Sequence, residues 1–508
     1  MTVTARVLVD PSFSLGEIDP RIYGSFVEHM GRCVYDGIYD PEHETADEDG
    51  FRQDVAELVR ELGPTILRYP GGNFVSGYRW EDGVGPREDR PVRRELAWKS
   101  IEPNLVGTNE FMRYCQRLGI EPMMAVNLGT RGIEAATALV EYTTLAGGTY
   151  WSDLRRAHGV EDPWDVRVWC LGNEMDGPWQ LGHKTAYEYG RLAAETAVAL
   201  RRVNPNLELV ACGTSKPIMP TFGSWEAEVL EQSYAHVDYL SMHMYVDPDL
   251  TDDVPTLLAA GVEIDAYIDA VIASADFARA RGRHSKVMPL SFDEWNVWYN
   301  SRPREIGEWP FAPDLIGDIY SFADALVVGS FINSILRRSD RVRMACLAQL
   351  VNVIAPIRTE PGGGAAWRQS TFYPFALASR FGRGESLRVG LTSARHDTSR
   401  HEDVPALDVA AVHDPETGAV TFFVVNRDVE HAVPLELATG GFAGFAGGAS
   451  VEHTTLTGPS ASATNSAAAP DTIAPRTAPA VPWEGAPVVV PPMSWNMIRL
   501  VPGTGTHI

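Results

Sequence analysis

Glu174 and Glu294 are the residues whose type and setting point most directly to chemistry. Each stands at the end of a short apolar run, Val166-Arg167-Val168-Trp169-Cys170-Leu171-Gly172-Asn173-Glu174 and Val287-Met288-Pro289-Leu290-Ser291-Phe292-Asp293-Glu294. A carboxylate directly behind a buried strand faces either a cavity at the strand end or a salt-bridge partner. Two carboxylates converging on one bond suit glycoside hydrolysis. One protonates the leaving oxygen, and the other supports the positive charge that develops at the anomeric carbon. The expectation is therefore spatial: two acidic groups distant in sequence share one cavity.

The elements that would place them there recur between about residues 20 and 355. Eight apolar runs read as buried strands, at residues 22–29, 66–73, 122–129, 166–174, 208–215, 239–245, 286–295 and 342–352. Helical stretches separate them. In residues 54–62, Val55, Leu58, Val59 and Leu62 form the i, i+3, i+4, i+7 stripe of an amphipathic helix, stopped by Gly63-Pro64. Residues 185–203 and 264–281 repeat the pattern. Eight βα units predict a (β/α)8 TIM barrel, in which catalytic groups sit at the C-terminal ends of the strands. Glu174 and Glu294 then fall on the fourth and seventh strands, across the barrel mouth from each other.

After Gly382 the texture changes to short β-type runs parted by Gly, Pro and Asp, which predict a C-terminal antiparallel β-sandwich, jelly-roll-like in outline. The opening run Ala5 to Val9 is strand-like and is expected to join that sandwich. The expected division is residues 1–18 for the N-terminal strand, 19–382 for the barrel and 383–508 for the sandwich. An Ala/Pro/Ser-rich stretch at 458–482 reads as a flexible loop.

The chain has 508 residues, a 44% apolar share and a formal net charge of −24. That apolar share excludes a disordered protein. The acidic balance argues against nucleic-acid and anionic-membrane partners, which require a basic footprint. The start has no basic, apolar and small-residue succession of a signal peptide, and no run is long enough to span a membrane. Cytoplasmic location is the expectation. The five cysteines are scattered without a CxxC pair, so neither a disulfide framework nor a zinc knuckle is expected.

Several motifs together resemble the retaining (β/α)8 glycosidases of clan A and, more narrowly, the α-L-arabinofuranosidases of glycoside hydrolase family 51. They are Gly172-Asn173-Glu174, Asp293-Glu294-Trp295-Asn296, the run from Ile22 to His29, Leu67-Arg68-Tyr69-Pro70-Gly71-Gly72-Asn73-Phe74, Met242-His243-Met244-Tyr245 and Ala348-Gln349-Leu350-Val351-Asn352. The resemblance implies an exo-acting retaining enzyme that releases terminal α-L-arabinofuranosyl groups. It implies Glu174 as general acid/base, Glu294 as nucleophile and Asn173 as a partner of the sugar 2-hydroxyl. Glu28, Asn73 and Gln349 would hold the remaining hydroxyls, with Tyr245 near nucleophile and sugar and Arg68 orienting the nucleophile. Trp98 and Trp298 fall where aromatic walls are expected. The resemblance also implies that no metal or organic cofactor is needed, that the substrate is an arabinofuranosyl oligosaccharide, and that the assembly is a homo-oligomer, with a hexamer as the form implied.

Other readings of the same residues stay open at this level. The same machinery would serve a β-xylosidase or an endo-β-glucanase. A Schiff-base lyase needs a strand-end lysine, and Lys216 is the candidate; a non-catalytic sugar-binding protein is a third reading. His29 and His243 with Glu28 suggest a metal cluster, but hydrogen-bonding roles at the mouth account for them better. Gly71-Gly72 makes a tight turn rather than a phosphate loop, since no GxxxxGK[ST] follows a strand. Trp179 is a further platform candidate for a sugar.

Overall fold

The computed structural model describes residues 4–302, 307–445 and 448–503. Residues 1–3 and 504–508, which the expected domain limits include, lie outside the described residues. Among the described residues, eight parallel strands close into a barrel: β1 (Gly24–Phe26), β2 (Ile66–Tyr69), β3 (Glu121–Val126), β4 (Val168–Leu171), β5 (Glu208–Ala211), β6 (Tyr239–Val246), β7 (Leu290–Val297) and β8 (Val342–Leu347). Each expected apolar run overlaps one of them. Most strands are shorter than the runs, because the polar tails are turns leaving the barrel mouth. The exceptions are β6 and β7, which run on past the ends of their runs, so Tyr245 and Glu294 lie inside the strands and not behind them.

The helices follow from local signals. α1 (Gln53–Leu62) buries its Val55, Leu58, Val59 and Leu62 stripe and ends at Gly63, whose φ of +73° suits a left-handed C-cap. α2 (Ala186–Val203) starts at a capping box. The Thr185 hydroxyl accepts from the Glu188 N–H at 3.3 Å, and the Glu188 carboxylate accepts from the Thr185 N–H at 3.0 Å. α3 (Ala260–Gly282) and α4 (Phe322–Arg337) complete the wall facing the C-terminal sheets.

Among the described residues those sheets have four and seven strands. The smaller runs Gly390–Thr392, Ala5–Leu8, Val433–Ala438, Val488–Val490. The larger runs Ser14–Glu17, Glu385–Leu387, Leu407–His413, Val420–Asn426, Ser494–Pro502, Ala449–Leu456, Arg476–Trp483. The N-terminal strand does join the smaller sheet, but it pairs parallel with Val433–Ala438, so the sandwich is not wholly antiparallel. Val420, Phe422 and Val424 face the core between the sheets, whereas Phe423 and Val425 join the barrel's core. This strand is buried on both faces, which explains its unbroken apolar run.

The 458–482 stretch differs from expectation. Arg476–Trp483 is an edge strand, and the part before it is fastened to the barrel. The carbonyls of Ala463 and Ala461 accept from the N–H groups of Phe322 and Ala323 at 2.8 and 3.0 Å. These are first-turn donors of α4 that have no partner within the helix. The Asn465 amide bonds Ile473 and the Arg368 carbonyl, and both Asn465 and Ile473 are buried. Backbone hydrogen bonding, invisible to composition, orders this segment.

Candidate active site

The mouth of the barrel gathers acidic, amide and aromatic side chains from six strand ends. On β7 an extra residue stands opposite both neighbours. From Ser291 to Glu294 the strand advances three residues while β6 advances two, from Ser241 to His243, and the step from Phe292 to Trp295 repeats this against β8. Such a bulge re-aims side chains. It turns both Asp293 and Glu294 into the barrel, where strict alternation would send one outward.

Glu294 is held at both oxygens. Arg68 on β2 donates to Oε1 at 2.6 Å, and the Tyr245 hydroxyl on β6 donates to Oε2 at 2.9 Å. The other Arg68 terminal nitrogen donates to Asn173 Oδ1 at 2.6 Å. Arg68 is fully buried, and the carboxylates of Asp293 and Glu294 keep its guanidinium charged despite the desolvation. Burial, with the Glu294 charge next in weight, pushes the Tyr245 phenol well above its ordinary range, so it remains a donor.

Glu174 follows β4 in a left-handed backbone conformation, φ +43°. For a non-glycine residue that conformation is strained, and such strain clusters at functional sites. Oε2 accepts from Trp179 Nε1 at 2.7 Å, and Oε1 lies 3.0 Å from His243 Nδ1. His243 Nε2 lies 2.9 Å from Asp293 Oδ1. A carboxylate accepts, so Nε2 donates to Asp293. Burial opposes a charged ring, but Glu294, Asp293 and Glu174 outweigh it and push the imidazole up to about 10. Asp176, two residues past Glu174, accepts from the Ser215 N–H and hydroxyl and ties this turn to the end of β5. One oxygen of Glu174, one of Glu294 and a ring nitrogen of His243 all lie within 4.8 Å of one another.

A second group surrounds Glu28, just beyond β1. Its Oε1 accepts from the Phe74 N–H and from Trp98 Nε1, both at 2.9 Å, and its Oε2 accepts from Gln349 Nε2 at 3.1 Å. Burial pushes the Glu28 carboxyl up to about 7, against the stabilising effect of those donors. Gly72 joins the two groups. A Cβ on it would come 3.0 Å from Glu294 Oε1 and 3.3 Å from Glu28 Oε2, so only a hydrogen leaves the cavity open there. Asn73 follows directly and opens a short 3-10 turn, half-buried. The Trp298 ring meets the Tyr245 ring edge to face at 5.0 Å between centroids.

The structure thus brings Glu28, Arg68, Asn73, Trp98, Asn173, Glu174, Tyr245, Glu294, Trp298 and Gln349 to one mouth. Asp293 and Asp176 were missed by the sequence reading. Both adjoin a candidate glutamate, but which way they point depends on the bulge in β7 and on the turn after β4. His29 does not enter the cavity; it bonds Tyr69 and Glu102 beneath it. Lys216 places its ammonium 4.5 Å from the Trp179 ring. Cys170 and Cys212 are buried, and burial raises both thiols, so neither is reactive.

Comparison with known proteins gives the same picture. Residues 58–260 match the family model described as an alpha-L-arabinofuranosidase 1 domain, and 293–494 match the alpha-L-arabinofuranosidase C-terminal domain. The chain is 51% identical to the intracellular exo-alpha-(1->5)-L-arabinofuranosidase 1 of Bacillus subtilis, over 98% of this chain and 99% of that one. It is 52% identical to an exo-alpha-(1->6)-L-arabinofuranosidase of Bifidobacterium longum, covering 84% of each. Among solved structures, the family 51 enzyme AbfB of Bifidobacterium longum superposes with a TM-score of 0.93 at 43% identity, over 98% of this chain and all of that one. The alpha-L-arabinofuranosidase of Thermotoga maritima, in its arabinose complex, gives 0.87 at 31% identity, covering 97% and 99%. On sequence, family models and fold alike, the chain belongs to the α-L-arabinofuranosidases of glycoside hydrolase family 51.

Proposed function

We propose that the protein is an exo-acting, retaining α-L-arabinofuranosidase with Glu294 as nucleophile and Glu174 as general acid/base. The observation that carries this reading is that one oxygen of each carboxyl group lies within 4.8 Å of one oxygen of the other. Retaining glycosidases place the two carboxyl groups about 5–5.5 Å apart, whereas inverting ones leave about 6.5–9.5 Å for a water. In the first step a Glu294 oxygen bonds to the anomeric carbon, the glycosidic bond breaks and Glu174 gives its proton to the departing oxygen. In the second, water attacks the same carbon, its proton passes to Glu174, and the bond to Glu294 breaks. Two displacements restore the original configuration.

The other groups support those steps. Arg68 and Tyr245 hold Glu294 in position, and Arg68 holds Asn173 beside it. Glu28, Asn73 and Gln349 offer acceptors and donors to sugar hydroxyls, and Trp98 and Trp298 wall the sugar. The substrate is a terminal arabinofuranosyl group on an oligosaccharide. Relatives of nearly equal identity are named for different linkages, (1->5) and (1->6). Overall identity therefore does not fix the linkage. Several relatives are named intracellular, and among the described residues no helix is long and apolar enough to cross a membrane. Both accord with a cytoplasmic enzyme acting on imported oligosaccharides. Homo-oligomeric assembly, a hexamer by the family resemblance, belongs to the same reading and is measured by light scattering.

NMR of the first product from 4-nitrophenyl α-L-arabinofuranoside tests the mechanism. The α-anomer is expected first, and an initial β-anomer would overturn the assignment. Glu294→Ala should abolish turnover. Glu174→Ala should lose roughly a hundred- to ten-thousandfold on poor leaving groups and far less on nitrophenol. Matching rates on xylosides or glucans would favour the alternative sugar specificities.

A further inference from the structure

The hairpin Arg93–Glu95 with Ser100–Glu102 carries Trp98 at its tip and is fastened at both ends to the strand-end pair Glu28-His29. At the tip, Trp98 Nε1 donates to Glu28 Oε1 at 2.9 Å. At the base, Glu102 Oε2 lies 2.9 Å from His29 Nδ1, and Glu102 also accepts from the Asn104 N–H and the Tyr35 hydroxyl. Four residues separate the hairpin strands, and Lys99 among them has a left-handed φ of +55°.

The tip holds its shape around Glu95. One Glu95 oxygen accepts from the Ala97 N–H and the other from the Trp98 N–H, both at 2.6 Å. Glu95 is 6% exposed, and among the described residues its carboxylate's hydrogen-bond partners are the two backbone N–H groups. Burying a carboxylate on backbone donors alone is costly. Burial accordingly pushes its carboxyl up to about 7, in spite of the two N–H groups. A neutral residue would sit there at lower cost, unless two acceptors are needed to fix the turn.

We infer that Glu95 is a positioning residue for the reaction: by clamping the Ala97 and Trp98 amides it aims the Trp98 indole at Glu28 and at the bound sugar. It touches no substrate and acts through Trp98. This inference rests on the reading of Glu28 and Trp98 as sugar-binding groups. A glutamine at 95 keeps one acceptor and sets its NH2 against the other backbone N–H, so the tip loses one clamp. An aspartate is shorter and reaches only one amide. Displacement of a positioning group by about 1 Å costs on the order of a hundredfold in rate.

The test is a double-mutant cycle on the full-length protein with 4-nitrophenyl α-L-arabinofuranoside, using Glu95→Gln, Trp98→Ala and both together. Circular dichroism and thermal melting verify folding. Glu95→Gln is expected to lower kcat/KM by ten- to a hundredfold, mainly through KM. In the Trp98→Ala background, Glu95→Gln should change kcat/KM by less than about twofold, because the route is already cut. Full-size effects in both backgrounds, or an unimpaired Glu95→Gln enzyme, would overturn the inference. Should Glu95→Gln fail to fold, Glu95→Asp takes its place in the same cycle. Wild-type activity on this substrate with a fully active Trp98→Ala variant would instead sink the sugar-binding reading of Trp98.

Discussion

His243 sits between three carboxylates, and its imidazolium is the charge that lets them share one cavity. Its pKa in the folded protein, about 10, lies above the ordinary 6.5. The stabilisation it contributes is therefore complete below about pH 6.5 and is lost as the pH rises through 10. His243→Gln should be least stable relative to wild type near pH 6, and the gap in melting temperature should close toward pH 10. A gap that widens with pH would refute the imidazolium. Activity should also fall, by about a hundredfold, since Glu174 loses a hydrogen-bond partner and Glu294 the cation 3.5 Å away.

At the scale of elements, the turn after β2 and the bulge in β7 do what no single side chain does. The turn at Gly71-Gly72 lets the chain pass between Glu28 and Glu294. The backbone of Gly72 is not left-handed, with φ −79°. An alanine Cβ there meets the nucleophile, at 3.0 Å. Gly72→Ala is expected to fold and to lose roughly ten- to a hundredfold in kcat/KM. Thermal melting and steady-state kinetics on one preparation separate these outcomes. The bulge sets a limit of sequence reading. Asp293-Glu294 is visible as a strand-end pair, yet alternation would send one of the two outward.

For the whole molecule, the junction between barrel and sandwich is an ionic clasp. Asp408, on the strand Leu407–His413, accepts from Arg337 of α4 at 2.5 Å and pairs with Arg427 at 2.9 Å; all three are removed from bulk water or nearly so. Burial works against the Asp408 charge, but Arg337 and Arg427 hold its carboxyl below the ordinary range. Asp408→Ala leaves two guanidinium groups without their shared anion, at an expected cost of about 3–5 kcal/mol. Urea denaturation measures that loss, while kcat/KM at 25 °C should remain that of wild type because the clasp lies outside the catalytic mouth. For the wild type, this contribution is present above about pH 3.8 and fades as the pH falls through the lower folded value.

The amino-acid order by itself determined the eightfold βα rhythm, the change to short strands after Gly382 and the two strand-end glutamates. Those features are written in local hydrophobic period and in motifs, which need no knowledge of distant contacts. The tertiary structure alone decided that Asp293 and Glu294 both turn inward, that His243 is shared as a cation, and that 458–474 is fastened to the first turn of α4. Each of these depends on register, or on a backbone donor supplied by a remote part of the chain. Such partners carry no mark in the sequence around the residue that needs them.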